Sequence, residues 1–227
     1  MVMKLEKVVP FGRSFDEYTK MFDLSAKDLQ KRILGVGDGP ASFNAEGTAK
    51  GAKITSIDPI YQFDGREIEQ RFDAVVDNII GQIIATPNNW VWQYHQNPQD
   101  LKANRVKALK IFLQDYQRGK QEGRYLAQEL PQLNFAKQTY DLALCSHFLF
   151  LYSEQCDYDF HLAAIEEMLR VSKEVRIFPL LTLMQETSSY LDGIIAHFNN
   201  LGYSTSVVRI PYELQPGANK MLVIKQK

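Results

Sequence analysis

Apolar residues recur along this chain in two rhythms: short continuous runs, and longer stretches spaced three and four residues apart. Short runs bounded by turn residues read as buried strands, and three-and-four spacing reads as amphipathic helix. Ser14 to Glu17 has the capping-box spacing, and Phe15, Tyr18 and Phe22, with Met21 beside them, give a short first helix. A second box, Ser25 to Asp28, opens another turn of helix that feeds a strand at Ile33 and Leu34. The stretch "ILGVGDGPASF" carries that strand into glycines at 35, 37 and 39 and reopens as a helix, with Pro40 at its first position and Gly51 at its stop. "KITSIDPIY" supplies a second strand around Ile54 and Ile57 that ends at Asp58 and is stopped by Pro59. Together these form a βαβ unit, which requires parallel strands and a right-handed crossover.

The rhythm breaks from Gly65 to about Gly123. Ile68, Phe72, Val75, Val76, Ile79, Ile80 and Ile83 make one long helix with a broad apolar face. Asn97-Pro98 caps a second helix carrying Leu101, Leu109, Phe112, Leu113 and Tyr116. Residues 65–123 are therefore expected to be a helical insertion between strands two and three, following an N-terminal helical segment over 1–30. The loop joining the inserted helices holds Trp90, Trp92, Tyr94 and His95, which suits either a cap over a substrate or packing against the main domain.

Strand patterns resume at "RYLAQ", at Leu142 to Cys145 and at "EVRIFPL". Asp159 is placed to cap a helix with Leu162, Ile165, Met168 and Leu169 inward, and "TSSYLDGIIAHFNNLG" is a helix ended by Gly202. "YSTSVVRI" and "KMLVIKQ" have only a turn-rich connection between them, so they must pair as an antiparallel hairpin. The expected fold is a single α/β domain over 1–227, with a seven-stranded, mostly parallel sheet that finishes antiparallel.

Charge narrows the partners. With 26 Lys and Arg against 27 Asp and Glu, the net charge of −1 leaves no basic excess for a polyanion, which disfavours nucleic acid. Cys145 and Cys156 fit neither a metal knuckle nor a disulfide framework and read as free thiols in a reducing cytosol. The apolar run at the N-terminus is broken by lysine and too short for a signal peptide, and no stretch approaches the ~18–20 apolar residues of a membrane span. The expectation is a cytoplasmic protein with no membrane segment and no metal.

A glycine turn between strand and helix lets backbone approach a ligand, beside unpaired amides at the helix start. Asp58, nineteen residues beyond Gly39 at the end of the second strand, is placed to accept both ribose hydroxyls of an adenosine. These two features alone fit a dinucleotide as well as another nucleoside. However, Ser42 stands where a G-x-G-x-x-G loop has its third glycine, and the Gly-Lys-Ser/Thr ending of a P-loop is absent.

With the closing hairpin added, nearly the whole chain resembles the class I S-adenosylmethionine-dependent methyltransferases, a Rossmann-like family. Ile33 to Ala41 match that family's V-L-D-x-G-x-G-x-G, with Gly35 in the place of its acid and Ala41 in the place of its last glycine. Tyr140-Asp141 match the pair that opens strand four. The resemblance implies S-adenosylmethionine as cofactor, held by Gly35, Gly37, Gly39, Asp58 and Pro59, by Glu129 and Leu130 around the adenine, and by Ser146 near the methionine part. Asp38 is placed to substitute for the missing acid, and Arg13 and Tyr18 to close over the cofactor's carboxylate and edge. His147, after strand four and expected to titrate near neutrality, is the candidate base, while Trp90, Trp92 and Tyr94 are candidates for the acceptor pocket. "SHFLFLY" stands where methylases of amide or adenine amino groups carry Asn/Asp-Pro-Pro-Tyr/Phe, which leaves small molecules or protein side chains as acceptors, and the near-neutral charge favours O- or N-methylation of a small molecule. Two alternatives share the same loop: an NAD(P)-dependent oxidoreductase, and a non-catalytic methyltransferase-like scaffold.

Overall fold

The apolar runs become a seven-stranded sheet in a computed structural model that describes residues 9–227; the reading of residues 1–8 falls outside the described residues. The strands are β1 (Arg32–Val36), β2 (Lys53–Ile57), β3 (Tyr125–Leu126), β4 (Leu142–Ser146), β5 (Glu174–Phe178), β6 (Tyr203–Arg209) and β7 (Lys220–Gln226). Their order across the sheet is β3-β2-β1-β4-β5-β7-β6. The first five run parallel, and β7 is antiparallel to both β5 and β6, so the hairpin read from the sequence is present with its second strand inserted inward. The chain begins mid-sheet, works outward to β3 and crosses back to β4. That reversal between β1 and β4 opens a crevice at the strands' carboxyl ends.

Strands β1 and β4 are buried almost throughout, as a parallel sheet covered on both faces requires. Helices α5 (Tyr158–Val171) and α6 (Leu191–Asn200) press Ile165, Met168, Ile194 and Phe198 into one core. Helices α1 (Phe15–Met21) and α2 (Phe43–Ala49) place Tyr18, Phe22 and Phe43 in a second. The inserted helices α3 (Gly65–Ala85) and α4 (Pro98–Gln121) lie between β2 and β3 and share a third core with Tyr61 and Tyr125. Among the described residues no helix is long and apolar enough to cross a membrane.

Three local expectations change. Helix α2 starts at Phe43 rather than at Pro40, because the N-terminal segment crosses the turn. The Ser42 N–H donates to the Arg13 carbonyl at 3.1 Å, and a Cβ on Gly12 would lie 2.3 Å from the Pro40 carbonyl carbon. The cap of α5 is Asp157, which accepts the Phe160 N–H at 2.8 Å, and Asp159 sits inside the first turn. Helix α6 starts at Leu191, since Thr187 upstream is engaged in a bridge with Leu181.

Candidate active site

Beyond Val36 the chain turns on two residues in the left-handed region, Gly37 (φ 68°) and Gly39 (φ 54°), where a side chain would be strained. Three hydrogen bonds fix this loop. The Gly37 N–H donates to the Ile57 carbonyl at 2.9 Å, the Gly39 N–H to Asp58 Oδ2 at 2.8 Å, and the Tyr61 hydroxyl to the Gly39 carbonyl at 2.7 Å. Asp58 Oδ1 meanwhile accepts the Ile60 N–H at 2.8 Å, capping a short 3-10 turn over Pro59–Gln62. One carboxylate thus ties the glycine loop to the end of β2. Burial raises its pKa, against the pull of the two amides.

Asp38 turns away from the solvent. Its Oδ1 accepts the Tyr18 hydroxyl at 2.7 Å and its Oδ2 the Ser56 hydroxyl at 2.6 Å. A Cβ built on Gly35 would lie 1.9 Å from Asp38 Oδ2. The carboxyl of residue 38 therefore fills the space that a side chain at residue 35 would need. Burial pushes the Asp38 pKa up to about 7; the two hydroxyls lower it and the Asp58 charge adds to the rise.

A cavity of about 740 Å³ opens in front of the loop at the carboxyl ends of β1, β2 and β4, within the range of ~300–1,000 Å³ for small-molecule sites. Gly37, Asp38 and Gly39 form part of its wall, followed by Asp58 and Pro59. Glu129 and Leu130 face it from the segment after β3, Ser146 and His147 from the end of β4, and Arg13 from the N-terminal crossing. Trp90 lines it as well. Four of the expected residues lie elsewhere. Gly35 is inside β1 against Asp38, and Tyr18 acts beneath the loop through its bond to Asp38. Trp92 packs into the α3–α4 core, while Tyr94 donates to Asp16 at 2.7 Å and packs on Tyr212 with ring centroids 5.1 Å apart. The loop turns these two rings into the scaffold because both find apolar partners there.

His147 adopts φ 53°, in the left-handed region that few non-glycine residues hold. Its N–H donates to the Phe178 carbonyl at 2.7 Å, and its Nδ1 lies 3.0 Å from the Ser146 hydroxyl. Its surroundings correct one expectation. Enclosure by protein, followed by the charges of Arg13 and Arg105, holds its pKa well below the usual range, so the ring is neutral at physiological pH rather than titrating near it. His161 is structural: its Nε2 accepts the Phe150 N–H at 3.0 Å.

Behind the wall is a buried network absent from the sequence-based reading. Glu17 binds Arg105 through two bonds of 2.7 and 2.8 Å, accepts the Tyr212 hydroxyl at 3.0 Å, and lies 3.2 Å from His95 Nε2. The guanidinium draws the Glu17 pKa well below its ordinary value despite complete burial. Arg105 itself is 1% exposed and reaches the cavity wall, and among the described residues its Nε has no acceptor. The same holds for Arg13 Nε. Arg13 donates to the Phe11 carbonyl at 2.7 Å, and burial together with the nearby Arg105 charge lowers its pKa to about 10.

No protein-family model matches the chain. It is 36% identical over 228 residues to the uncharacterized protein MJ0045 of Methanocaldococcus jannaschii, with 99% of each chain covered. Among solved structures, the mitomycin 7-O-methyltransferase MmcR superposes with a TM-score of 0.51 at 10% identity, over 94% of this chain and 54% of that one. The magnesium protoporphyrin IX methyltransferase ChlM of Synechocystis PCC 6803, solved with bound SAM, aligns over 87% of this chain and 70% of its own at 14% identity and a TM-score of 0.42. With near-complete coverage of MJ0045 and a sheet ordered β3-β2-β1-β4-β5-β7-β6, the chain belongs to the same family as MJ0045 and has the Rossmann-like fold of the class I S-adenosylmethionine-dependent methyltransferases.

Proposed function

We propose that this protein is a cytoplasmic S-adenosylmethionine-dependent methyltransferase that methylates an oxygen or nitrogen of a small molecule. The observation that carries this reading is convergence: the glycine loop, Asp58, Ser146 and His147 meet in one cavity at the carboxyl ends of β1, β2 and β4. The residues suit the cofactor's parts. Gly39 presents open backbone, since a Cβ there would meet nothing closer than Asp58 Oδ2 at 3.9 Å, whereas one on Gly37 would meet the Phe148 Cβ at 3.3 Å. The lone pairs left on Asp58 are available to ribose hydroxyls. Pro59, Ile60 and Leu130 supply an apolar slot for the adenine, with Glu129 at its edge. Asp38 offers a carboxyl group to the ammonium, and the Arg13 guanidinium, whose Nε has no partner among the described residues, offers a donor to the carboxylate.

Bound there, S-adenosylmethionine supplies an activated methyl group, which passes to the acceptor's lone pair as the C–S electrons return to sulfur. The protein's own contribution is then mainly orientation and exclusion of water. The roof of α3 and Trp90 provides the exclusion, acting as a cap. His147 stays neutral here because burial and the nearby guanidinium charges disfavour its imidazolium, so it orients an acceptor's proton by hydrogen bonding rather than acting as a strong base.

Calorimetry with S-adenosylmethionine and S-adenosylhomocysteine tests this reading. One site is expected, weakened at least about tenfold in Asp58→Ala by the loss of charge-assisted hydrogen bonds. Binding of NAD with no response to either sulfur compound would make the protein an oxidoreductase. Binding of none of the three would make it a scaffold.

A further inference from the structure

The cavity continues past the glycine loop into an apolar lobe. Ile79 and Ile83 of α3, Trp90, Leu101 of α4, Phe11 and Leu214 belong to or pack against one core and line this lobe. One helical turn beyond Leu101, Arg105 enters the same wall, its guanidinium carbon 5.1 Å from the centre of the Phe11 ring. Its two terminal nitrogens are taken by Glu17, whereas its Nε–H is buried with no acceptor among the described residues. A buried donor left unpaired is costly, and the strongest partner for a guanidinium N–H is an anionic oxygen. The side chains of these six residues carry no hydrogen-bond acceptor for an ammonium group.

We infer that the acceptor is an apolar organic acid, its hydrocarbon body held in this lobe and its carboxylate or phenolate oxygen on Arg105 Nε. This rests on the methyltransferase reading for the word acceptor; the binding site itself does not depend on it. The arrangement disfavours amine substrates for two reasons. A cation would face Arg105 and Arg13, and burying its charge among apolar side chains goes uncompensated.

The test is calorimetric titration of 2-naphthoate and of naphthalen-2-ylmethylammonium, each with and without saturating S-adenosylhomocysteine. Naphthoate is expected to bind at least about tenfold more tightly than the ammonium compound, one charge-assisted hydrogen bond being sufficient for that ratio. Leu214→Trp, which fills the lobe from a loop, is expected to weaken naphthoate at least about tenfold. Arg105→Gln should erase the preference; if that variant does not fold, the two probes and Leu214→Trp still decide. Equal or tighter binding of the ammonium probe, or unchanged naphthoate binding in Leu214→Trp, overturns the assignment. Naphthoate preference without any response to S-adenosylhomocysteine would overturn the proposed function alone, and the reverse pattern would overturn this inference alone.

Discussion

Gly35 and Asp38 compete for one space, and the consequence can be measured. A carboxyl group on residue 35 cannot coexist with the present Asp38, whose Oδ2 lies 1.9 Å from where that Cβ would be. Gly35→Asp alone is expected to abolish binding of S-adenosylhomocysteine and to lower stability, since overpacking a core costs about 1–3 kcal/mol. Adding Asp38→Gly in the same chain frees the space and returns a carboxyl to Tyr18 and Ser56, so the double variant should bind better than either single one. A double-mutant cycle by calorimetry checks this, and additive losses would rule out a relocated acid. The raised pKa of Asp38 adds a pH effect. Because it rises from 3.8 to about 7 on burial, the folded state holds a proton that the unfolded state has lost between those values. The Asp38 contribution to stability must therefore fall as pH climbs through that window, by about 4 kcal/mol at ~1.4 kcal/mol per pKa unit. Denaturant titrations from pH 4 to 8 should show this fall as a pH-dependent difference between wild type and Asp38→Asn, because the opposing contributions of His147 and Glu17 are common to both.

At the scale of elements, α1 is fastened to α4 by a buried ion pair, and breaking it should be expensive. Glu17→Gln leaves Arg105 charged and unpaired at 1% exposure, a change that costs about 3–5 kcal/mol in such pairs. The depressed Glu17 pKa also means that its contribution is present above the ordinary glutamate value of 4.5 and is lost as pH falls through the folded-state value. Chemical denaturation at neutral pH should register the loss in Glu17→Gln, and the gap to wild type should narrow on acidification. The sequence shows half of this pair. Arg105 falls four residues after Leu101 and four before Leu109, a charge set on an apolar stripe and hence a residue in need of a buried partner. Glu17, 88 residues away, reads locally as the third residue of a capping box, which it also is. Contacts within a turn, such as both capping boxes and the Asn97 cap, are legible because they depend on neighbours three residues apart. The start of α2 is not, because Arg13 and Gly12 set it from outside the segment. Likewise Tyr94 and Trp92 cannot be told from Trp90 by residue type, and only the course of the loop sends one ring to the cavity and two to the scaffold.

For the whole molecule, the question is whether α3 and α4 form a separable lid or part of one cooperative body. Strand polarity and the terminal hairpin were readable in advance, because two strands with no helix between them have only one simple way to pair. Attachment of the insertion was not, since it depends on side chains far apart in sequence. The Tyr116 hydroxyl donates to the Tyr61 and Phe63 carbonyls at 3.0 and 2.9 Å, joining α4 to the turn that carries Asp58. Asp115 binds Arg124 at 2.6 Å, and Arg124 in turn donates to Asn44 of α2 at 2.8 Å. Phe112, Tyr116, Tyr61 and Tyr125 pack ring on ring beneath these bonds. Removing the insertion would expose those rings and strip Arg105 from Glu17, so the sheet cannot keep its native packing while α3 and α4 unfold. Scanning calorimetry should therefore give one transition, with calorimetric and van't Hoff enthalpies equal, and S-adenosylhomocysteine should move that whole transition upward. Two resolved transitions, only one of them responding to ligand, would mean that the helices over the cavity fold as a body of their own and that the roof can open without loss of the site beneath it.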